Sequence, residues 1–150
     1  MTHPFELRPA TTEDRDALAE LWHASASLPT VGPPQMPSRI ELRERVDQAF
    51  AQGWVTTLAV TGNALVGFVA IKPAVSVLDQ LFVSPDHLGG GVGRALLGHA
   101  MAEMPAGFTL FTASANIRAR RFYEAAGLMF VSEEPHPRSG HPVSHYRWHP

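Results

Sequence analysis

Four glycines fall within five positions of this chain, and their place constrains the fold more than any other feature. They lie in DHLGGGVGRALLGH, residues 86–99, between a β-rich run and an apolar run of helical character. Glycine is favoured where the backbone must turn sharply or approach another group closely. A flexible surface loop would also tolerate this composition, so the sequence on either side must decide between the two interpretations.

The flanking sequence predicts a strand before the glycines and a helix after them. AVSVLDQLFV (74–83) is rich in β-branched and aromatic residues and ends at the turn sequence SPD. The run from Val92 to about Met104 is apolar on most sides, which is typical of a helix buried against a sheet. FTLFTA (108–113) is a further strand, and a right-handed crossover through the helix would make the two strands parallel.

A glycine-rich turn that leads into a helix is a favourable site for a phosphate group. The first N–H groups of a helix have no partner within it, and the helix dipole adds positive charge there. A P-loop is excluded because Gly93 is followed by Arg94 and Ala95 instead of Lys and Ser or Thr. A dinucleotide-binding turn is disfavoured because the last glycine of G-x-G-x-x-G is missing in either frame. The sequence therefore predicts phosphate binding at this turn, and a nucleotide stays open as an alternative ligand.

The remaining sequence predicts one α/β domain that spans residues 1–150. A chain of this length with 45% apolar residues can bury a core of its own. Ser38 and Glu41 have capping-box spacing at the start of a helix, and the proline-rich SLPTVGPPQMP before them must be a loop. Further helices are predicted at 11–26 and 116–127, and further strands at 5–10, 54–60, 64–71, 128–133 and 142–148.

Composition argues against several classes of partner. The formal net charge of −2 gives no electrostatic reason to expect nucleic acid or an anionic membrane as a partner. The chain has no cysteine, which excludes thiolate catalysis and disulfides. No apolar run approaches the roughly 20 residues that span a bilayer. The N-terminus lacks a basic and apolar leader pattern, so a soluble cytoplasmic protein is the expectation.

Eight histidines raise the question of a metal site. His141, His145 and His149 are spaced four apart, which suits two ligands on one face of a helix. The surrounding PVSHYRW predicts a strand instead, in which residues four apart are separated by about 13 Å. We therefore predict no bound metal.

Two blocks of the sequence together resemble the GNAT superfamily of N-acetyltransferases. LDQLFVSPDHLGGGVGRALLGHA (78–100) is similar to the family's acetyl-CoA loop, with Gly91 and Gly93 at its two glycine positions. NIRARRFYEAAGLMFVSE (116–133) resembles the family's second block. The residues that match that block in spacing are Asn116, Ala119, Phe122, Tyr123 and Gly127. The resemblance implies an α/β fold with a mixed, mostly antiparallel central sheet of about six to seven strands, flanked by about four helices.

The resemblance also implies acetyl-CoA as the cosubstrate and indicates where it binds. Most contacts to its pyrophosphate would come from backbone N–H groups of the turn. The Arg or Gln that the family has at the start of the glycine pattern is Leu88 here, which still supplies its backbone N–H. The predicted cofactor-binding residues are Leu81, Phe82, Val83, Leu88, Gly89, Gly90, Gly91, Val92, Gly93, Arg94, Asn116 and Tyr123.

Transfer of an acetyl group from a thioester to an amine has three chemical requirements. The carbonyl oxygen gains charge and must be stabilised, for which the resemblance implies a backbone N–H on the strand Leu81–Val83. The departing thiolate needs a proton, and the resemblance implies Tyr123 as the general acid. The amine must arrive neutral, and Asp79 is the candidate base. Two-residue periodicity would place Asp79 on the face of Leu81 and Val83, where burial would raise its pKa.

Each of these residues also has a structural interpretation. Tyr123 could be an amphipathic residue at the edge of the core, and Asn116 could be a helix N-cap. Asp79 could be an edge carboxylate, with a chain of water molecules in the role of base. The basic group formed by Arg118, Arg120 and Arg121 is typical of a solvated helix face, with a contact to the 3′-phosphate of CoA as the alternative.

The resemblance implies an N-acetyltransferase in which a primary amine attacks bound acetyl-CoA directly, within a ternary complex. The acceptor would be a small-molecule amine, a peptide N-terminus or a lysine. The loop SASLPTVGPPQMPS contains no acid that could pair with a polyamine, which favours a small, modestly charged amine. The alternative is a non-catalytic acyl-CoA sensor or interaction module. The last strand of such folds often pairs across a dimer, so a homodimer is also open.

Overall fold

The computed structural model describes residues 4–150, and in that range it contains seven strands and four α-helices. The strands are β1 (Glu6–Pro9), β2 (Val55–Thr61), β3 (Ala64–Lys72), β4 (Val77–Val83), β5 (Phe108–Ala113), β6 (Met129–Pro135) and β7 (Pro142–Trp148). The helices are α1 (Arg15–Ala26), α2 (Arg39–Ala51), α3 (Val92–Glu103) and α4 (Ile117–Ala125). Single turns of 3-10 helix lie at Thr12–Asp14, Pro73–Val75 and Pro85–His87.

The strands form one mixed sheet in the order β1-β2-β3-β4-β5-β7-β6. β4 and β5 run parallel, while each other pair of neighbouring strands in this order is antiparallel. The crossover between the two parallel strands runs through α3. These observations confirm the predicted mixed, mostly antiparallel sheet with its flanking helices.

The helices cover both faces of the sheet. α1 and α2 bury residues such as Leu18 and Val46 against Phe68 of β3 on one face. α3 and α4 bury residues such as Leu96 and Tyr123 against the other. Because successive side chains of a strand point to opposite faces, β3 is buried on both sides, which explains its nearly unbroken apolar run.

The helix ends follow local chemistry that the sequence largely predicts. The Ser38 hydroxyl accepts a hydrogen bond from the backbone N–H of Glu41 at 3.1 Å and caps α2. Gly127, with φ of +96°, ends α4 in the left-handed conformation that favours glycine. The start of α1 differs from the prediction, because a 3-10 turn closed by Thr11 and Asp14 precedes the α-helix.

Candidate active site

The parallel strands β4 and β5 separate almost as soon as they meet. They pair at one position, Val77 with Thr109, and the hydrogen bond from Thr109 N–H to the Ser76 carbonyl (3.0 Å) lies beside it. Beyond this point β5 pairs with β7 along its whole length. A cleft therefore opens in the middle of the sheet between the C-terminal halves of β4 and β5.

The backbone of β4 presents unpaired groups to this cleft. Ser84 N–H donates to the Val66 carbonyl at 2.8 Å, so the backbone groups of Ser84 and, two residues earlier, Phe82 point towards β3. Those of Leu81 and Val83 point the other way, into the cleft. The Val83 carbonyl accepts a hydrogen bond from the Ser25 hydroxyl of α1 at 3.0 Å. Of the three predicted strand residues, Leu81 and Val83 can offer N–H groups to a ligand, whereas the backbone groups of Phe82 point towards β3.

The glycine turn leads directly into the N-terminus of α3. Gly91 caps the helix with φ of +86°, and no side chain caps it. The first hydrogen bond of the helix runs from Ala95 N–H to the Gly91 carbonyl at 3.1 Å. The N–H groups of Val92, Gly93 and Arg94 therefore have no partner within the helix, as expected at a helix start. These donors and the positive end of the dipole form a site for an anion.

The glycines leave space around these donors. Gly89 also has a positive φ, of +84°, and a Cβ on either Gly89 or Gly91 would meet no atom within 4 Å. A Cβ on Gly93 would lie 3.4 Å from the Phe122 ring of α4 and 3.6 Å from Val83. Leu88 is 40% exposed, whereas the Val92 side chain is buried. The turn thus supplies main-chain donors and open space, which fit the phosphates and the extended amide chain of CoA.

Tyr123 combines a buried ring with a hydroxyl that has no hydrogen-bond partner among residues 4–150. Its ring packs between Phe122 (5.3 Å) and Tyr146 (6.2 Å) in the cluster that Leu81 and Val83 also contact. Burial raises the pKa of Tyr123, so the phenol stays protonated at neutral pH. A protonated hydroxyl without a partner can donate a proton to a ligand.

Asn116 is a helix cap in this structure. Its Oδ1 accepts a hydrogen bond from the backbone N–H of Ala119 at 3.1 Å, at the start of α4. The capping interpretation of Asn116 is therefore confirmed. The cap fixes the start of the helix that carries Tyr123 seven residues later, which is about two helical turns.

Asp79 faces the opposite layer from the one predicted. Ala70 pairs with Gln80 while Ile71 pairs with Leu78, so Asp79 is the extra residue of a β-bulge. Its Oδ2 accepts a hydrogen bond from Trp54 Nε1 at 2.7 Å. Trp54 belongs to the core on the α1 and α2 side, whereas Leu81 and Val83 pack on the α3 side. The prediction that these three share a face is wrong, because the bulge shifts the alternation by one residue.

A polar network at the base of α4 was not foreseen from the sequence. Arg120 Nε donates to the hydroxyl of the fully buried Tyr146 at 3.1 Å, and that hydroxyl donates to Glu124. Arg120 also donates to the Ser114 carbonyl at 3.4 Å. The interpretation of 118–121 as a solvated basic face therefore fails for Arg120. The signal was the position of Arg120, one turn before Glu124 on the same helix face.

A cavity of about 690 Å³ lies at the C-terminal end of β5. Its walls are the α1–α2 loop, the residues that follow β5, and parts of β6 and of the β6–β7 connection. The polar side chains on it include Ser114, Arg120, Glu133 and His141. Ala26 also lines it, directly after the Ser25 that bonds Val83, so the cavity adjoins the end of β4. Sequence reasoning identified the loop but not these polar residues.

Residues 4–150 contain no group of three or more His, Asp or Glu side chains arranged to hold a metal ion. No helix in the same range has the length and apolar character to cross a membrane.

The sequence matches a family model described as the acetyltransferase (GNAT) family over residues 16–128. No curated protein matches the sequence significantly. Among solved structures, a GCN5-related N-acetyltransferase from Rhodopseudomonas palustris is similar, with a TM-score of 0.76 and 23% identity over 98% of this chain and 96% of that one.

Two further structures were solved with acetyl-CoA. YncA from Salmonella typhimurium, with its cofactor acetyl-CoA, has a TM-score of 0.73 and 15% identity over 96% of this chain and 92% of its own. A phosphinothricin acetyltransferase from Sinorhizobium meliloti has a TM-score of 0.76 and 17% identity over 97% of this chain and 88% of its own. At these identities the similarity is one of fold.

Proposed function

The chain belongs to the GNAT acetyltransferase family, whose members use acetyl-CoA as cosubstrate, and on that premise we propose that it acetylates a primary amine by direct attack within a ternary complex. The observation that carries the proposal is the cleft between β4 and β5, which has unpaired N–H groups along β4 and at the start of α3. Bound there, acetyl-CoA supplies the acetyl thioester.

The main chain of this protein would hold and polarise the thioester. The N–H groups of Val92, Gly93 and Arg94 bind the pyrophosphate, because they are unpaired and lie at the positive end of the helix dipole. The N–H groups of Leu81 and Val83 face the cleft, and one of them donates to the carbonyl oxygen as its charge develops. Such donors need no rearrangement during the reaction because the sheet holds them in place.

Tyr123 acts as the general acid in this proposal. Its hydroxyl has no other partner in the described chain, and burial raises the pKa of Tyr123, so the proton is present at neutral pH. Phe122, the preceding residue in sequence, lies 3.4 Å from the Cβ position of Gly93, which puts this part of α4 beside the start of α3. The hydroxyl of Tyr123 gives its proton to the departing sulfur.

Water, rather than Asp79, takes the proton from the amine. The Asp79 carboxylate accepts the Trp54 indole N–H on the far side of the sheet from the residues that face α3. This contact gives Asp79 a structural role. The acceptor itself, a small-molecule amine or a peptide amine, occupies the cavity next to the ends of β4 and β5.

Tyr123→Phe tests the proposal, because it removes the hydroxyl and keeps the ring. General acids contribute about 10²- to 10⁴-fold, so turnover should fall by that range while acetyl-CoA affinity changes little. Thiol release measures turnover with an acceptor found by screening amines, and calorimetry measures affinity.

The other tyrosine provides the matched control for this experiment. Tyr146→Phe removes a hydroxyl that bonds Arg120 and Glu124, so it should lower the unfolding temperature rather than saturated turnover. Full turnover of Tyr123→Phe across the pH range would show that its hydroxyl is not the acid.

A non-catalytic acyl-CoA sensor is the second candidate function. It is favoured by the uncharged Leu88 in the turn and by the engagement of Asp79 with Trp54. The two functions differ in one measurement. A sensor would bind acetyl-CoA in calorimetry and release no thiol with any amine of the library.

The last strand, β7, lies between β5 and β6 and has no free edge, so the proposal includes a homodimer through the edge strand β6 instead. Met129, Phe130 and Val131 are all exposed there, at 62%, 50% and 56%. An edge strand also has unpaired backbone groups, which suit pairing with a second copy.

A further inference from the structure

Four basic side chains lie together beside the cavity, and we refer to them as the cationic cluster: Arg45, His136, Arg138 and His141. The rings of His136 and His141 stack, with centroids 5.0 Å apart. The backbone N–H of Arg138 donates to Nδ1 of His136 at 3.0 Å. The charge of Arg45, on α2, acts on both Arg138 and His136. The cationic cluster thus includes residues of α2 and of the β6–β7 connection.

The cationic cluster has few acidic partners. Within residues 4–150, neither Arg45 nor Arg138 forms an ion pair with a carboxylate. Burial and the charge of Arg138 lower the pKa of Arg45, and Glu41 opposes them only in part. Arg15, in contrast, holds Asp47 at 2.7 Å. Positive charge therefore remains uncompensated in the cluster.

The cationic cluster reaches the cavity through His141, which is one of its lining residues. The other charged residues on the cavity wall, Arg120 and Glu133, are of opposite sign, and each partly compensates the other. Arg120 is also held by Tyr146 and Ser114. The cavity thus has one compensated pair and, next to it, a separate excess of positive charge.

We propose that the acceptor carries an anionic group, a carboxylate or a phosphonate, which binds the cationic cluster while the amine of the acceptor lies in the cavity. The inference rests on the proposed function and specifies the substrate class of the same site. The two guanidinium groups carry N–H donors, and each imidazole keeps Nε2 for a ligand, because Nδ1 of His136 accepts backbone N–H groups and Nδ1 of His141 is bonded to the Ser139 hydroxyl. An anion would accept from these donors and relieve the repulsion between the arginines. Charge-assisted hydrogen bonds of this kind change affinity by about tenfold to a hundredfold.

Matched acceptor pairs test the substrate class. Glycine, β-alanine and γ-aminobutyrate are compared with their primary amides, and aminomethylphosphonate is compared with methylamine, by thiol release from acetyl-CoA. The best acid should exceed its neutral partner in kcat/KM by about tenfold or more, mainly through KM. Comparison of the carboxylate acceptors with aminomethylphosphonate shows which anion the protein prefers. Equal or better kcat/KM for the neutral partners throughout would overturn the inference.

Variants of the two arginines connect this preference to the cationic cluster. Arg45→Gln and Arg138→Gln should each raise KM for the preferred acid by about tenfold and leave KM for acetyl-CoA and for the amide unchanged. Arg147→Gln, at an exposed position on β7, is the matched control and should change none of these values. An unchanged KM for the acid in both cluster variants would also overturn the inference.

Titration with methylphosphonate gives a readout that does not depend on turnover. The imidazole NMR signals of His136 and His141 should shift saturably in the wild-type protein and more weakly in Arg138→Gln. The absence of a saturable shift in the wild type would show that the cationic cluster holds no anion. Failure of the proposed function looks different, because no amine of either kind would then release CoA, while the titration still decides whether the cluster binds an anion.

Discussion

The pKa of His136 reflects the burial of its ring and the charges around it. Burial lowers its pKa most, followed by the charges of His141, Arg138 and Arg45. The unfolded chain therefore binds the proton of this residue at higher pH than the folded protein does. Stability conferred by the neutral form is present above the unfolded pKa of about 6.5, and it is lost as the pH falls through the folded pKa.

Removing one neighbouring charge should raise the pKa of His136. In an NMR titration we expect a pKa below about 6.5 for the wild type and a value closer to it for Arg138→Gln. The same variant should lose less stability between neutral and mildly acidic pH, as measured by thermal unfolding. Arg147→Gln serves as control and should leave the titration unchanged. A wild-type pKa at or above the ordinary value would contradict this picture of the cationic cluster.

Some residues of the candidate site could be predicted from local sequence patterns, and others could not. Gly93 could be singled out because it lies in a glycine-rich turn before a helix, and Tyr123 because it lies in a block that resembles the second block of the family. The orientation of Asp79 could not be, because its bulge depends on how β3 and β4 pair, and alternation along one strand does not contain that information. The cationic cluster joins residues that are about ninety positions apart, and no local pattern connects them.

The turn before α3 is an element whose two key glycines have different physical roles. Gly91 needs its left-handed backbone, because it has φ of +86° and open space around it. Alanine there should cost about 1–2 kcal/mol of stability through backbone strain alone. Gly93 has no positive φ, and its importance lies in the space between Phe122 and Val83.

Gly93→Val should weaken CoA binding by more than tenfold, at least about 1.4 kcal/mol. A Cβ already reaches van der Waals contact with Phe122 at 3.4 Å, so the extra methyl groups must displace that ring or cover the N–H donors. Calorimetry with CoA measures the effect. Gly98→Val, on the same helix with no atom within 4 Å of its Cβ, is the matched control. If folded Gly93→Val binds CoA with unchanged affinity, the turn is not part of the CoA site.

Most elements could be predicted because their boundaries have local causes. The Ser38 cap and the left-handed Gly127 are encoded within a few residues, and both occur where the sequence indicates. The 3-10 form of the turn before α1 does not follow from helix propensity, because Asp14 accepts a hydrogen bond from the Thr11 backbone N–H at 2.7 Å and also pairs with Arg8 of β1. That second contact links two elements and tightens the turn, which a propensity argument for one helix does not include.

At the scale of the whole molecule, the sheet consists of two parts that meet at one paired position. β1 to β4 form one part, and β5, β7 and β6 form the other. Helices α3 and α4 pack in one core cluster with residues of both parts. A ligand that pairs with the free edge of β4 would therefore complete a hydrogen-bond ladder that the protein leaves open.

Amide hydrogen exchange should detect the pairing of acetyl-CoA with the free edge of β4. In the free protein the amides of Leu81 and Val83 should exchange fast, whereas those of Phe82 and Ser84, which are bonded to β3, should exchange slowly. Acetyl-CoA at a hundred times its dissociation constant should slow the first two by up to about 100-fold. Phe82 and Ser84 are the internal control. No change at Leu81 and Val83 in the saturated protein would mean that the cofactor does not pair with β4.

The reliance of the cleft on main-chain donors has an evolutionary consequence. A backbone N–H is the same whichever side chain follows it, so most substitutions along β4 and the turn leave these donors in place, provided that the glycine conformations persist. Genetic drift can then replace most of the sequence, in keeping with the shared fold at 15–23% identity. The cavity wall is built from side chains instead, and selection can alter it one residue at a time. Under the proposed function, the half of the site that binds acetyl-CoA would then change more slowly than the half that binds the acceptor.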